Sequence, residues 1–376
     1  MPGSHSLLPL ALVVCGAIRA AGGAPPPLPS VPTLQAVPWP AADRLFRQDP
    51  RWLGSDDAYS VDLGEGRVLW LFGDTFIGDG TSTVRATMVS NTVAIQRGYD
   101  PSTASIQFFW GHDRGKPRAF FRQPGDVAFW PGHGIRLGHG LLLFMMAIRS
   151  AKGGLGFASA GWRAVMVEDS RSAPSEWKLR WLDSPPNDFG AVVGSASVVL
   201  HDGFVHAFSS REPGVHDVYL ARWPLERAGE GDLSGLQWWA GETRGWVSQS
   251  RLVGPPAVLF GNAQTEFSVH RFPGSGQLLE IQSEGFGGTP ISARWAPALT
   301  GPWSPLVRFY TPVESSWDGT FVYAAKAHPE LTGAPVVVTY ATNRTDFWRL
   351  VGDHGVYYPR FLRVWPRGHD RKGVHR

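Results

Sequence analysis

The sequence predicts an all-β fold, a single five-bladed β-propeller, and three observations predict it. The first is composition: 17 Trp, 21 Phe and 8 Tyr accompany 45 Gly and 31 Pro. Aromatic side chains suit a pleated, half-buried surface, whereas Gly and Pro punctuate turns and break helices. The second is a weak internal repeat of roughly 55–70 residues, in which one strand order recurs five times. A two-sheet sandwich would not produce that recurrence. The third is length: 376 residues can bury a large core as one propeller, with no disulfide or metal to staple it.

Each element follows in chain order. Residues 7–18, LLPLALVVCGAI, are an apolar run followed by Ala20-Ala21-Gly22-Gly23-Ala24, which reads as a signal peptide over 1–24 that is too short to span a membrane. The only cysteine, Cys15, lies inside it. Lipid attachment at Leu12-Val13-Val14-Cys15-Gly16 is disfavoured because Val14 is bulky, so the mature chain has no thiol and no thiolate chemistry. Residues 25–44 form a proline-rich leader, 45–366 the propeller and 367–376 a basic tail. The first strand of each blade is expected at SDDAYSVDL (55–63), WPGHGIRL (130–137), VGSASVVL (193–200), TEFSVHRF (265–272) and YAAKAHPEL (323–331). Strongly apolar second strands follow at 67–76, 140–150, 203–212, 276–285 and 334–343. Third strands lie at 87–96, 162–169, 217–223, 290–296 and 357–365, and outer strands at 105–111, 177–183, 236–241 and 303–310. The fifth unit lacks an outer strand of its own, which TLQAVPW (33–39) can supply to close the ring.

Charge excludes some partners. The formal net charge is +3, but the signal segment contributes +1 and the tail +3, leaving the body near −1. No basic stripe marks the folded part for nucleic acid. A phosphate loop, the nucleophile elbow Gly-x-Ser-x-Gly and His-Glu-x-x-His are all absent from the sequence.

The first strands of a propeller line its hub, so side chains at matching positions converge there. That set contains Asp56, Asp57, His133, Ser195, Glu266, Lys326 and His328. Asp74, at the end of the second strand in FGDTF, can return beside Asp56 through the antiparallel hairpin. Ionised carboxylates are almost never buried without partners, so acids from separate blades meeting at one axis call for a chemical reason. A carboxylate pair suits glycoside hydrolysis, with one acid protonating the leaving oxygen and the other acting as base or nucleophile. Trp130 and Trp317 can stack on sugar faces, and Lys326 and His328 can pin carboxylates or bind hydroxyls. A Ca²⁺ ion in the hub would suit clustered carboxylates, but no loop has the spacing of a dedicated calcium motif, so no cofactor is expected.

GSDDAYSVDLGEGRVLWLFGDTFIG (54–78), FWPGHGIRL (129–137), TEFSVHR (265–271), GPWS (301–304), AAKAHPEL (324–331) and YYPRF (357–361) resemble a bacterial family long known only as a domain of unknown function. That family is similar in fold to the furanosidase-type five-bladed propellers, and it includes endo-D-arabinofuranases that cut the D-arabinan of mycobacterial cell walls. The resemblance runs from about residue 45 to 365. It implies that Asp56 and Asp74 match the family's two active-site acids and Glu266 an acidic position in blade four. Many relatives of such propellers carry a general-acid Glu on blade three, where this chain has GSASVVL.

The expectation is therefore a secreted or periplasmic, monomeric glycoside hydrolase acting on furanosidic bonds of a polysaccharide, D-arabinan first. Asp56, Asp74 and Glu266 would be catalytic, and Asp57, Trp130, His133, Trp317, Lys326 and His328 would bind substrate. The alternative is a non-catalytic glycan-binding propeller in which the acids grip hydroxyls.

Overall fold

The computed structural model describes residues 32–368 apart from 80–85, 153–155, 286–288 and 353. The expected signal segment, the first part of the leader and most of the basic tail lie outside the described residues. The chain is all-β, with 49% strand and 9% helix. No helix among the described residues is long and apolar enough to cross a membrane.

Five antiparallel sheets follow one another along the chain, each a meander of neighbouring strands. Sheet one runs Tyr59–Gly64, Arg67–Phe72, Thr92–Arg97 and Ser105–Phe109, and sheet two runs Ala128–Leu137, Gly140–Ser150, Phe157–Val167 and Leu179–Leu182. Sheet three starts with Ala191–His201, Phe204–Arg211 and Val218–Pro224, and adds the short strands Gln237–Trp239 and Trp246–Ser248. Sheet four holds Ser268–Arg271, Leu278–Ser283, Ile291–Ala296 and Val307–Tyr310. Sheet five takes Thr320–Ala327, Val336–Arg344 and Arg360–Pro366 from the chain's end and Leu34–Pro38 from its beginning. This last strand pairs Leu34 with Pro366 through Pro38 with Leu362, within the segment read as a closing strand and inside the span assigned to the leader.

Local chemistry explains the hairpins. His201 pairs with Phe204 across Asp202-Gly203, whose φ values of 47° and 74° are the two left-handed residues a type I′ turn demands. The second strands are buried on both faces, apolar throughout at 68–72 and 141–148 but carrying buried His206, Glu280, Gln282 and Thr339 in the other three, and the period of two sorts their side chains. Val68, Trp70 and Phe72 pack with Val337 and Phe361 of sheet five, while Leu69 and Leu71 pack with Leu141, Leu143 and Met145 of sheet two. Leu142 and Phe144 then face Tyr219 and Trp223 of sheet three. Phe208 and Leu220 meet Leu278 of sheet four, and Leu279 and Ile281 meet Val336 and Val338 of sheet five. Five apolar clusters thus join the sheets in the order one, two, three, four, five and back to one.

The first strands of all five sheets line one cavity. They approach closely: a Cβ on Gly132 of sheet two would lie 2.4 Å from the carbonyl oxygen of Gly194 in sheet three, so only glycine fits. Several expected strands are shorter than read. Sheet one begins at Tyr59 rather than Ser55, and sheet four at Ser268 rather than Thr265. The expected strand 67–76 ends at Phe72, and Thr75–Ile77 joins a small separate sheet with Trp52–Ser55 and Thr87–Val89. Asp56, Asp57, Asp74 and Glu266 therefore stand on loops at strand ends. Strand-propensity penalties do not apply at such positions.

Candidate active site

The small sheet sets Asp56 beside Asp74. Ser55 pairs with Thr75, so the next residue on one strand and the preceding residue on the other emerge together. Ser55 Oγ donates to the Asp74 carbonyl at 2.8 Å and lies 2.9 Å from Thr75 Oγ1, tying the two loops at their base. The Asp56 carboxyl rests on the backbone of Gly73, where any Cβ would come within 2.5 Å of its Oδ1. Tyr323 Oη donates to Asp56 Oδ2 at 2.6 Å, and Tyr357 Oη donates to the Asp74 carbonyl at 3.0 Å. Trp130 Nε1 donates to Asp74 Oδ1 at 3.0 Å, and its ring stands edge-on to Phe157, centroids 4.5 Å apart. Five chain segments thus meet around two half-buried carboxylates.

Electrostatics at this pair favour a retained proton. Burial, then the neighbouring Asp74 and Glu266 charges, push Asp56 up to about 7, against the pull of the Tyr323 and Tyr357 hydroxyls. Burial pushes Asp74 up to about 6, opposed by the Trp130 indole. Near neutral pH the pair holds one proton less tightly at Asp74 than at Asp56, the arrangement in which one carboxyl can donate while its neighbour is ionised.

A second group adjoins them. Lys326 Nζ is buried and bonds Glu266 Oε2 at 2.8 Å, Asp57 Oδ1 at 3.4 Å and the Asp57 carbonyl, and it lies 4.2 Å from the centre of the Tyr59 ring. Glu266 keeps 25% of its side chain exposed, and its charge reaches Asp56. Asp57 is buried, and that burial, followed by the Glu266 charge, holds its carboxyl well above the usual range. Its φ of 70° and that of Ala58, 58°, place two successive non-glycine residues in the left-handed region. Such strain persists only where surroundings impose it, here the hold of Lys326 on the Asp57 carboxyl and carbonyl.

The structure brings Asp56, Asp57, Asp74, Trp130, Glu266 and Lys326 together and leaves three expected residues apart. His133 Nδ1 accepts from the Val198 N–H at 2.8 Å and Nε2 donates to the Ser60 carbonyl at 3.0 Å; burial lowers it to about 4, a neutral ring spent on bracing first strands. His328 is buried, its Nδ1 2.5 Å from Ser60 Oγ and its Nε2 2.7 Å from Thr339 Oγ1, so its substrate-binding role is corrected to a structural one. Trp317, 40% exposed, lies under the Arg360 guanidinium at 5.3 Å, and no hydrogen bond among the described residues joins it to the acids.

Tyr323 and Tyr357 were missed as site residues, though they open the strings YAAKAHPEL and YYPRFLRVW. Glu212 was missed as well. It ends the second strand of sheet three as Asp74 follows that of sheet one, and accepts from Thr265 Oγ1 at 2.6 Å, Ser210 Oγ at 3.2 Å and His216 Nδ1 at 3.0 Å. Those donors, His216 first, hold Glu212 below its ordinary value despite its burial. Thr265 precedes Glu266, so Glu212 braces the loop that carries it. Among the described residues, no group of three or more His, Cys, Asp or Glu side chains is placed to hold a metal ion.

A family model described as a domain of unknown function, DUF5005, matches residues 41–367. No protein of curated function matches the chain in sequence. Among solved structures, a candidate hydrolase from Bacteroides ovatus superposes with a TM-score of 0.70 at 17% identity, over 88% of this chain and 90% of that one. The catalytic domain of a GH62 α-L-arabinofuranosidase from Coprinopsis cinerea superposes with a TM-score of 0.50 at 13% identity, over 90% and 97%. At these identities the likeness is one of fold.

Proposed function

The chain belongs to the DUF5005 family, a membership that by itself assigns no activity, and we propose that it is a glycoside hydrolase on a five-bladed propeller whose carboxylate pair is Asp56 and Asp74. The five sheets are its blades, and the strand Leu34–Pro38 closes the ring. The observation that carries the reading is the pairing of two half-buried acids, both raised toward neutrality, with Trp130 bonded to one and the Glu266 charge acting on the other. A scaffold that merely filled its hub would have no use for carboxyls so costly to bury.

In the proposed reaction Asp56, the acid that keeps its proton to higher pH, protonates the glycosidic oxygen as the bond to the anomeric carbon breaks. Asp74, ionised and oriented by Trp130, either deprotonates the water that attacks that carbon or attacks it directly, after which water releases the sugar. Both routes end in one new reducing end and one free hydroxyl. Glu266, held by Lys326, orients sugar hydroxyls and raises Asp56 by its charge.

The substrate we propose is an exported polysaccharide with furanosidic linkages, D-arabinan in particular, met outside the cytoplasm by a monomeric protein delivered by its 1–24 signal segment. The support is the first-blade motif pair, Gly-Ser-Asp56 and Gly-Asp74-Thr-Phe. The test is a product screen on arabinans, galactans, fructans and xylans read by chromatography. Oligosaccharides from an arabinan alone support the proposal; binding of glycans without any product would leave a glycan-binding module instead.

A further inference from the structure

The acids occupy only one end of the hub. Asp56, Asp57 and Glu266 precede the first strands of sheets one and four, whereas Asp62 and Arg271 lie at the far ends of those strands, about 15–20 Å away at roughly 3.3 Å per residue. Between them runs the cavity of about 560 Å³, closed toward the acids by Tyr59 and Lys326 and open at the other face, where Asp62, Arg136 and Arg271 are exposed and Leu200 is 51% exposed.

Three histidines stand along this hub, and they are treated differently. His133 and His328 spend both ring nitrogens on protein partners. His270, only 7% exposed, has no hydrogen-bond partner on either nitrogen and lines the cavity. Glu330 lines it too, and its buried Oε1 is likewise without a partner. Buried polar atoms are normally satisfied, and leaving three unsatisfied around one space costs stability unless something in that space bonds them.

We propose that this channel is a second binding site, for a small neutral polyol such as a free pentose or hexose, with His270 and Glu330 as its hydrogen-bonding anchors. Burial lowers His270 to about 4 and raises Glu330 to about 7. A neutral imidazole offers one donor and one acceptor, and a protonated carboxyl does the same, which matches the dual character of a sugar hydroxyl. The charges around the space argue against an ion. Lys326 places an ammonium at the inner end, against a cation, while the exposed Asp62 shares the mouth with Arg136 and Arg271, against a simple anion. Val61, Ile135, Val198 and Val269 supply apolar wall for the C–H face of a ring.

The test uses the full chain carrying Asp74→Asn, so that the acid pair turns nothing over, and follows the His270 ring resonances by NMR during titration with D-arabinose, D-xylose, myo-inositol, CaCl₂ and phosphate. The expected result is a saturable shift with a polyol, weakened at least tenfold by Glu330→Gln and by Leu200→Trp, which narrows the mouth from an exposed position without disturbing the core. His270→Leu should abolish polyol binding measured by ligand-observed NMR. A shift produced by calcium or phosphate in place of the polyols would overturn the proposal. So would polyol binding that Leu200→Trp leaves unchanged, or a channel that takes up only water.

Discussion

Replacing Tyr323 with Phe removes one oxygen, and the consequence for Asp56 can be worked through. The hydroxyl donates to Asp56 Oδ2 at 2.6 Å, a charge-assisted bond that favours the ionised carboxylate. Such bonds are worth about 1.5–3 kcal/mol, and 1.36 kcal/mol moves a pKa by one unit, so losing it would raise Asp56 by about 1–2 units. The nearby Tyr357 hydroxyl, which also pulls Asp56 down, recovers part of this, which makes the lower figure the expected one. Asp56 already stands at about 7, and as the general acid it would set the alkaline limb of the profile of kcat/KM against pH. Tyr323→Phe should therefore shift that limb upward by about one unit and leave the acid limb, set by Asp74, in place. The assay is reducing-end release from an arabinan between pH 4 and 10, with a carboxyl-carbon NMR titration of Asp56 as a check that does not depend on turnover. An alkaline limb that stays put or moves down would refute the assignment of Asp56 as the proton donor.

Other substitutions probe the same construction. Asp56 binds its proton more tightly folded, at about 7, than at its ordinary 3.8, so the stability tied to it is intact below about pH 4 and lost as pH rises through 7. Asp56→Asn should accordingly raise Tm at pH 8, by the equivalent of about 2–4 kcal/mol, and change it little at pH 4, as scanning calorimetry would read. Gly73→Ala drives a Cβ to 2.5 Å from Asp56 Oδ1 and should cost more than tenfold in activity, with a loss of about 1–3 kcal/mol in urea unfolding. Lys326→Met leaves the buried Asp57 and the partly exposed Glu266 without their ammonium and should destabilise by about 3–5 kcal/mol in the same measurement.

Much of the architecture could be read from the chain because a propeller repeats its signals. Apolar second strands such as RVLWLF and GLLLFMMAIRS are covered on both faces, and turn residues such as Asp202-Gly203 mark the hairpins between them. The strand ends were less readable. Asp56 looked like a strand residue because Tyr59, Val61 and Leu63 alternate after it, and the left-handed backbone at Asp57 and Ala58 moves it onto a loop; Glu266 lies just before a strand that starts only at Ser268. The acids were visible because aspartate is out of place in an apolar run. Tyr323 and Tyr357 were not, since tyrosine is at home at a strand start and only the fold reveals which hydroxyls meet a carboxylate. His328 misled for the same reason in reverse: a polar residue at a hub position can be fully occupied by Ser60 and Thr339. Glu212 shares its place at the end of a second strand with Asp74, a correspondence that becomes evident once Thr265 joins it to Glu266.

Incubation of purified protein with D-arabinan, beside its Asp56→Asn and Asp74→Asn variants, probes the central assignment most directly. New reducing ends should accumulate with the parent chain and be absent with either variant, both retaining a cooperative unfolding transition. Equal product from the parent and both variants, or none from the parent on any furanosidic glycan, would contradict it.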